Sequence, residues 1–353
     1  MFVNLARGFV DFGQKVDFVM SEAKGPFISW LPAQVRVVEL GTSHFLKILP
    51  GLVRYLRQER PAILLSGKRC DREAVRGRKL AGVPTRVILR VGTTVSQRAP
   101  TRTFLTAWKS YRAMRTLYPQ ADALIAVSKG VAEDVASITR IPLGTIHVLP
   151  NPVVTPELAA LAQSPIDHPW LVTKGPPVIL GVGGLRRQKD FPTLIRAFAL
   201  VRETRPVRLV ILGKGRKTPA FERLAEKLGV RQDVSFPGFV DNPYAYMARA
   251  GLLVLSSAWE GSPNVLVEAL AVGTPVVSTD CRSGPRDILQ DGRYGPLVPV
   301  GDAGAMAEAI LQTLDNPLPK HTLRVAATPY AVHASTRRYL EVFDRIGASG
   351  ERG

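Results

Sequence analysis

The stretch LLVLSSAWEGSPNVLVEALAVGTPVVST, Leu252–Thr279, constrains the fold of this chain more than any other. Its apolar run Leu252–Leu255 has the length and composition of a buried strand. A loop carries Glu260-Gly261-Ser262-Pro263-Asn264, and from there Val265, Leu266, Ala269 and Leu270 fall at helical spacing. Gly273-Thr274-Pro275 stops the helix, and Val276-Val277 opens a second strand. Strand, helix and strand in so short a span make a βαβ unit, and a βαβ unit requires a parallel sheet. The corner before the helix also has a chemistry. Gly261 permits close approach of a ligand to backbone. The first turn of a helix presents N–H groups without intrahelical partners, and the helix dipole adds positive potential, so an anion such as a phosphate is the expected occupant. Glu260 and Glu268 flank that corner. A carboxylate beside a phosphate is unfavourable unless it addresses hydroxyl groups, which it accepts hydrogen bonds from readily.

The same alternation runs through the whole chain. In the first half, helices are expected at Phe2–Gly13, Phe45–Arg57, Arg72–Leu80, Thr103–Leu117 and Lys129–Ser137, the last capped by Ser128. Strands are expected at Lys15–Met20, Val35–Leu40, Ala62–Ser66, Val87–Val91, Ala123–Val127 and Ile146–Leu149. The proline-rich, aperiodic segment from Asn151 to Pro177 reads as an interdomain linker. Alternation restarts at Val178–Val182 and continues to Thr279, followed by helices at Gly284–Leu289, Ala303–Leu314 and Pro329–Ile346. The expected division is therefore a first domain over 1–165, a second over 166–328, and a C-terminal helix within 329–353.

At 353 residues the chain is long enough for two cores. Its two cysteines, Cys70 and Cys281, cannot form a disulfide framework, which fits a reducing compartment. No apolar run reaches the length of a membrane span and the first residues lack the pattern of a secretory signal, so a cytoplasmic location is expected. The net charge is +18, and residues 1–165, with 23 Lys and Arg against 11 Asp and Glu, carry 12 of it. The densest block, Lys68–Arg115, suits an anionic lipid, an anionic saccharide or a nucleic acid. No nucleic-acid-binding module is recognisable, so nucleic acid is set aside and an anionic membrane surface is the expected partner. The expected location is thus cytoplasmic, with peripheral attachment to the inner face of the cell membrane if the basic block meets lipid and none if it is an ordinary solvated surface.

Three further segments of the second half could serve a ligand. In Gly181–Asp190 a strand runs into Gly183-Gly184, then Arg186, Arg187 and Lys189; glycines allow approach and the cations can neutralise a diphosphate. Leu212-Gly213-Lys214-Gly215 makes a second glycine corner, and Phe236-Pro237-Gly238-Phe239-Val240 a third. None of His44, His147, His168, His321 and His333 has a motif around it, so structural or exposed roles are expected. There is no Asp-x-Asp pair to hold a metal between a protein and a diphosphate.

The Glu-x7-Glu spacing of Glu260 and Glu268, set in WEGSPNVLVEALAVGTPVV, resembles the signature of the family 4 retaining glycosyltransferases. The junction Val148–Val153 is similar to that family's link between domains. The resemblance implies an α/β chain of the GT-B fold, two Rossmann-like parallel-sheet domains facing each other across a cleft. Residues 1–165 would be the acceptor side, 166–328 the nucleotide-sugar side, and the C-terminal helix would return to the first domain. By the same resemblance Glu260 contacts the transferred sugar and Glu268 the ribose hydroxyls. Gly261, Ser262, Pro263, Asn264 and Val265 would offer backbone to the sugar or diphosphate. Lys189 matches a phosphate-binding lysine, with Gly183 and Gly213 in the adjoining corners, and Gly238-Phe239 matches the nucleobase edge. The implied activity is transfer of a sugar from a nucleotide diphosphate, most simply a UDP-sugar, to a glycan or lipid-linked acceptor of the cell envelope. Retention of configuration follows for the family, with no metal and no cofactor. Three departures stand out. Gly184 replaces the family's phosphate-binding arginine, leaving Arg186 or Arg187 to act. Gly92 replaces a histidine, leaving Arg90 or Thr93 on the acceptor side. The chain opens at the helix that follows the family's first strand and glycine-rich loop. These departures admit an alternative, a catalytically weak nucleotide-sugar-binding or scaffold subunit.

Overall fold

A computed structural model describes residues 1–22, 28–41, 45–67, 70–97 and 104–350. His44, and Lys68, Arg69, Arg98 and Arg102 of the basic block, lie outside the described residues. The chain divides into two compact units, one of residues 1–152 and 332–353, the other of 153–331.

The first unit opens with α1 (Phe2–Asp11), β1 (Asp17–Met20), β2 (Arg36–Glu39) and α2 (Phe45–Glu59). It continues through β3 (Ile63–Gly67), α3 (Asp71–Ala81), β4 (Arg86–Val91), α4 (Phe104–Leu117), β5 (Ala123–Ala126), α5 (Lys129–Thr139) and β6 (Ile146–Val148). Two parallel sheets form, β1-β2 and β3-β4-β5-β6. In the larger sheet the strands follow one another in order, so right-handed crossovers place α3, α4 and α5 on one face. Val87, Leu89 and Val91 of β4 point to that face and pack with Val75, Met114, Val131 and Val135. Ile88, one residue out of phase, points the other way, against Leu5, Tyr339 and Val342. Strands of this kind are apolar on both faces because helices cover both. Leu52, Tyr55 and Leu56 of α2 gather Val19 of β1, Val38 of β2 and Leu64 of β3, so one helix serves both sheets. Ser128 caps α5 through its Oγ, which accepts from Val131 N.

The second unit begins with two short helices, α6 (Leu158–Gln163) and α7 (Pro169–Val172). It then alternates β7 (Val178–Val182), α8 (Phe191–Thr204), β8 (Arg208–Leu212), α9 (Thr218–Lys227), β9 (Val234–Gly238), α10 (Pro243–Arg249), β10 (Leu252–Leu255) and α11 (Asn264–Val272). β11 (Val276–Thr279), α12 (Pro285–Leu289), β12 (Leu297–Val298), α13 (Ala303–Asp315) and α14 (Lys320–Ala327) complete it. Its six strands are parallel in the order β12-β11-β10-β7-β8-β9. Val178 and Leu180 face a core with α10, α11 and α14, whereas Ile179 faces another with α8, α9 and α13. The chain then returns as α15 (Val332–Gly350), whose Tyr339 and Val342 are buried in the first unit.

Two sequence expectations need correction. Residues 151–177 are not an open linker. Leu158, Ala162 and Leu171 are buried in the second unit's core, and α6 and α7 are too short to show periodicity. The boundary accordingly falls after Pro152 rather than at 165, and the second unit extends to Ala331 rather than to 328. Val153 N and Val154 N both donate to Tyr330 O, at 2.8 and 3.0 Å, which anchors the segment to the end of that unit. The helix α14 escapes the sequence reading because Pro317, Pro319 and Pro329 around it suggest a loop.

Candidate active site

In the second unit the chain lays down β7, β8 and β9 in one direction and then returns to the other side of β7 for β10. Between β7 and β10 the loops at the carboxyl ends of the strands diverge to opposite faces. A crevice at such a reversal is where open α/β sheets bind ligands. The two loops beside it are residues 183–190 and 256–263, the two that the sequence singles out.

Both are held from several sides. Ala258 N donates to Gln188 O at 2.8 Å, and Ser256 Oγ donates to Lys189 O at 2.8 Å. Gln188 Nε2 donates to Trp259 O at 3.0 Å and more weakly to Glu260 Oε2 at 3.4 Å. Lys189 Nζ meets Glu260 Oε1 at 2.7 Å, and Ser257 Oγ donates to the same oxygen at 2.8 Å. Glu260 is buried, with 7% of its surface exposed, and Lys189 is half-buried. A buried carboxylate needs such partners to remain charged. The Lys189–Glu260 pair is therefore a preassembled, mutually neutralised couple at the crevice.

The glycine corners adjoin it. Gly183 N donates to Leu212 O at 2.9 Å, Leu185 N to Lys214 O at 3.1 Å, and Gly213 N to Gly238 O at 2.7 Å. The corners after β7, β8 and β9 are thus laced by backbone. Gly213 has φ +145°, and a Cβ there would overlap the carbonyl oxygen of Gly183. Arg186 is exposed and lies back over the first corner, its Nε 3.4 Å from where a Cβ on Gly184 would stand. Beyond the third corner Phe239 is 49% exposed, with Lys214 Nζ 5.3 Å from the ring centroid.

Behind the other loop, Ser283 Oγ donates to Gly261 O at 2.9 Å. Gly284, at φ +94°, lets the turn pack so closely that a Cβ there would lie 2.6 Å from Pro263 Cδ. Pro263 and Val265 turn their side chains inward, so only their backbone can meet a ligand. Pro263, at the N-cap of α11, makes no side-chain cap. Glu268, one turn inside, is half-buried, and burial pushes its carboxyl up to about 7 against the pull of Lys189. Tyr244 of α10 faces it: burial and then the Glu268 charge raise the phenol. Cys281 nearby is driven up to about 12 by burial and next by Glu260, which leaves it an inert thiol at neutral pH.

Two family models match: "Glycosyltransferase Family 4" over residues 1–156 and "Glycosyl transferases group 1" over residues 176–316. The chain belongs to glycosyltransferase family 4. Among its relatives is the N-acetylgalactosamine-N,N'-diacetylbacillosaminyl-diphospho-undecaprenol 4-alpha-N-acetylgalactosaminyltransferase of Campylobacter jejuni. It is 34% identical over 65% of this chain and 58% of the relative. The lipopolysaccharide core biosynthesis glycosyltransferase LpsE of Rhizobium meliloti is 33% identical over 59% of this chain and 58% of its own. The chain thus spans rather more than half the length of these relatives. Among solved structures, Anabaena HepE in complex with UDP and glucose superposes with a TM-score of 0.77, at 17% identity, over 98% of this chain and 95% of HepE. The fold is GT-B.

Within this family 4 chain the second unit brings together Lys189, Glu260, Gly183, Gly184, Arg186, Gly213, Gly238, Phe239, Glu268 and the turn Gly261–Val265. Of the acceptor-side pair, Arg90 is turned inward. Its Nε donates to Tyr339 Oη at 2.9 Å, a second nitrogen donates to Asn151 Oδ1, and Phe2 lies under it at 5.5 Å. It is 5% exposed and holds α15 to the sheet, so it is not offered to a ligand. Thr93 is half-buried in a loop that Asp134 fixes, its Oδ2 accepting from Val95 N at 2.6 Å and Ser96 N at 3.2 Å. Sequence reasoning missed Ser257, Tyr244 and Ser283, and it named Gln188 and Lys214 only as parts of longer segments. Ser257 lies three residues before Glu260, within the motif, but a serine in a loop gives no signal of what it touches.

Proposed function

We propose that this chain transfers a sugar from a nucleotide diphosphate sugar, a UDP-sugar in the simplest case, to a glycan or lipid-linked acceptor in cell-envelope polysaccharide or lipopolysaccharide synthesis. The observation that carries the reading is the Lys189–Glu260 couple at the strand reversal, with laced glycine corners beside it and Glu268 one helical turn further on. In this reading the diphosphate lies over Gly183, Gly184 and Gly213, where backbone can approach it. Lys189 exchanges Glu260 for a phosphate oxygen, and Glu260 then accepts from a hydroxyl of the sugar. Arg186 supplies the second cation in place of an arginine at 184. Glu268 accepts from the pentose hydroxyls, and the base lies by Gly238 and Phe239.

The chemistry follows from these positions. As the anomeric C–O bond breaks, charge grows on the departing diphosphate, and fixed cations and N–H groups lower the energy of that state. Transfer proceeds with retention and without a metal, the charge being met by Lys189, Arg186 and α11. The names of the Campylobacter and Rhizobium relatives support an acceptor carried on a diphospho-lipid or a lipopolysaccharide core.

The test is titration with UDP and UDP-sugars, followed by assay of released UDP with cell-envelope extract as acceptor. Glu268→Ala is expected to weaken UDP binding roughly tenfold to a hundredfold, the loss of one charge-assisted hydrogen bond. Lys189→Ala is expected to lower turnover by about a hundredfold or more. A thermal melt accompanies each variant, because removing Lys189 leaves Glu260 buried without its cation. Wild-type turnover in both variants would refute the site.

A further inference from the structure

An acid stands on the apolar face of α5. Val131, Val135 and Ile138 of that helix are buried in the core against β4 and β5, and Asp134, at the spacing of the same face, is fully buried with them. It has no ion-pair partner among the described residues. Its Oδ2 accepts from two successive backbone groups, Val95 N at 2.6 Å and Ser96 N at 3.2 Å. Its Oδ1 makes no hydrogen bond, and neither does the buried Ser96 Oγ. Burying a carboxylate with so few partners is costly, and an apolar side chain at 134 would favour the core. What an apolar side chain could not do is hold the two N–H groups.

The loop that Asp134 holds leaves the carboxyl end of β4, an inner strand paired with β3 on one side and β5 on the other. That end of an open α/β sheet is the end that meets ligands. Val95 turns its side chain into the core, so the loop is pinned at this residue by side chain and backbone together. Thr94 is fully buried and the Ser96 hydroxyl is buried as well. Thr93, half-buried beside the exposed Gly92, is therefore the hydroxyl residue that the loop keeps at the surface. A threonine hydroxyl both donates and accepts, which matches the hydroxyls of a saccharide.

We propose that Asp134 is a positioning residue for the acceptor. Through the N–H groups of Val95 and Ser96 it fixes the loop after β4, and the loop so fixed presents the Thr93 hydroxyl to a hydroxyl of a saccharide acceptor. Asp134 itself touches no substrate. The inference rests on the transfer reading proposed above, but that reading stands on the donor site of the second unit, whereas Asp134 and Thr93 belong to the first.

UDP release by the full chain is measured at saturating UDP-sugar while cell-envelope extract is varied as acceptor, and UDP affinity is measured separately. Thr93→Val should raise the extract concentration that gives half the maximal rate roughly threefold to tenfold, the loss of one neutral hydrogen bond. Asp134→Ala should raise it at least as much, and both variants should keep the wild-type UDP affinity. Asp134→Asn, whose amide oxygen can accept from the same two N–H groups, should return it to the wild-type value. In a chain already carrying Thr93→Val, Asp134→Ala should add little, because both act on one contact; independent effects would multiply. Should Asp134→Ala not fold, Asp134→Glu, which keeps the carboxylate but moves it by one methylene, takes its place with the same expected outcome. A melting temperature lowered by Asp134→Ala with unaltered half-saturation would mean a purely structural clamp and would overturn the inference. So would wild-type half-saturation in Thr93→Val, full multiplication in the double variant, or an equal loss of UDP affinity. A wild type that releases no UDP with the extract would refute the transfer reading and this inference with it, whereas an active wild type beside variants of unaltered half-saturation would refute the inference alone.

Discussion

Glu268 is a carboxyl whose ionisation the fold has shifted into the physiological range. Burial holds it at about 7 rather than near 4.5. Between those values the folded chain keeps a proton that the unfolded chain has released, so its contribution to stability falls as pH rises from about 4.5 to about 7. Glu268→Gln removes that dependence. The melting temperature of the wild type should therefore drop relative to the variant across this range, and parallel curves would remove the shift. Binding should run the other way. A carboxylate accepts from ribose hydroxyls better than a carboxylic acid does, so UDP affinity should rise in the wild type, relative to Glu268→Gln, as pH passes 7. The comparison with the variant cancels the ionisation of UDP itself. At this scale the sequence was only partly legible. Glu260 and Glu268 announce themselves by spacing, but Ser257 and Gln188, which hold Glu260, and Tyr244, which feels the charge of Glu268, come from loops and a helix that no pattern connects to them.

Among the elements, the βα corners of the second unit matter most. Those after β7, β8 and β9 form one backbone-laced layer because Gly213 has no side chain. An alanine there would combine an unfavourable φ of +145° with overlap on the Gly183 carbonyl. Gly213→Ala should therefore cost roughly 2–3 kcal/mol in denaturant unfolding. UDP affinity should fall with it, since the corner must shift. A stability within experimental error of wild type would refute the close approach. A glycine between a strand and a helix was visible in the sequence, but that it abuts Gly183, thirty positions earlier, was not, because contact across strands is set by the sheet order. Strands such as Val178–Val182 and Leu252–Leu255 were legible because they are apolar on both faces and short. α6 and α7 were not, being single turns among prolines that bury only one or two residues each. Arg90, placed on the acceptor side by resemblance because it lies beside Gly92, makes a tie to α15 that no local pattern announces, since that helix lies far away in sequence.

At the level of the whole molecule, two α/β halves were legible from the alternation of strands and helices, and both are present. What composition could not tell was how the charge is distributed over helix faces, because that depends on which side of each helix the sheet buries. Among the described residues no helix is long and apolar enough to cross a membrane. The connectivity carries one more consequence. The second unit is a single uninterrupted segment whose two ends are hydrogen-bonded neighbours, Val153 and Val154 with Tyr330, and it leaves and re-enters the first unit between Pro152 and Val332. Such a segment is an insertion, and insertions with adjoining ends can be excised. Residues 153–331 produced alone should unfold cooperatively and retain UDP binding by calorimetry, whereas a molten fragment would mean that the two folding units are not autonomous. Its touching ends also make it a candidate for head-to-tail cyclisation, giving a closed ring of polypeptide in which fraying has nowhere to begin.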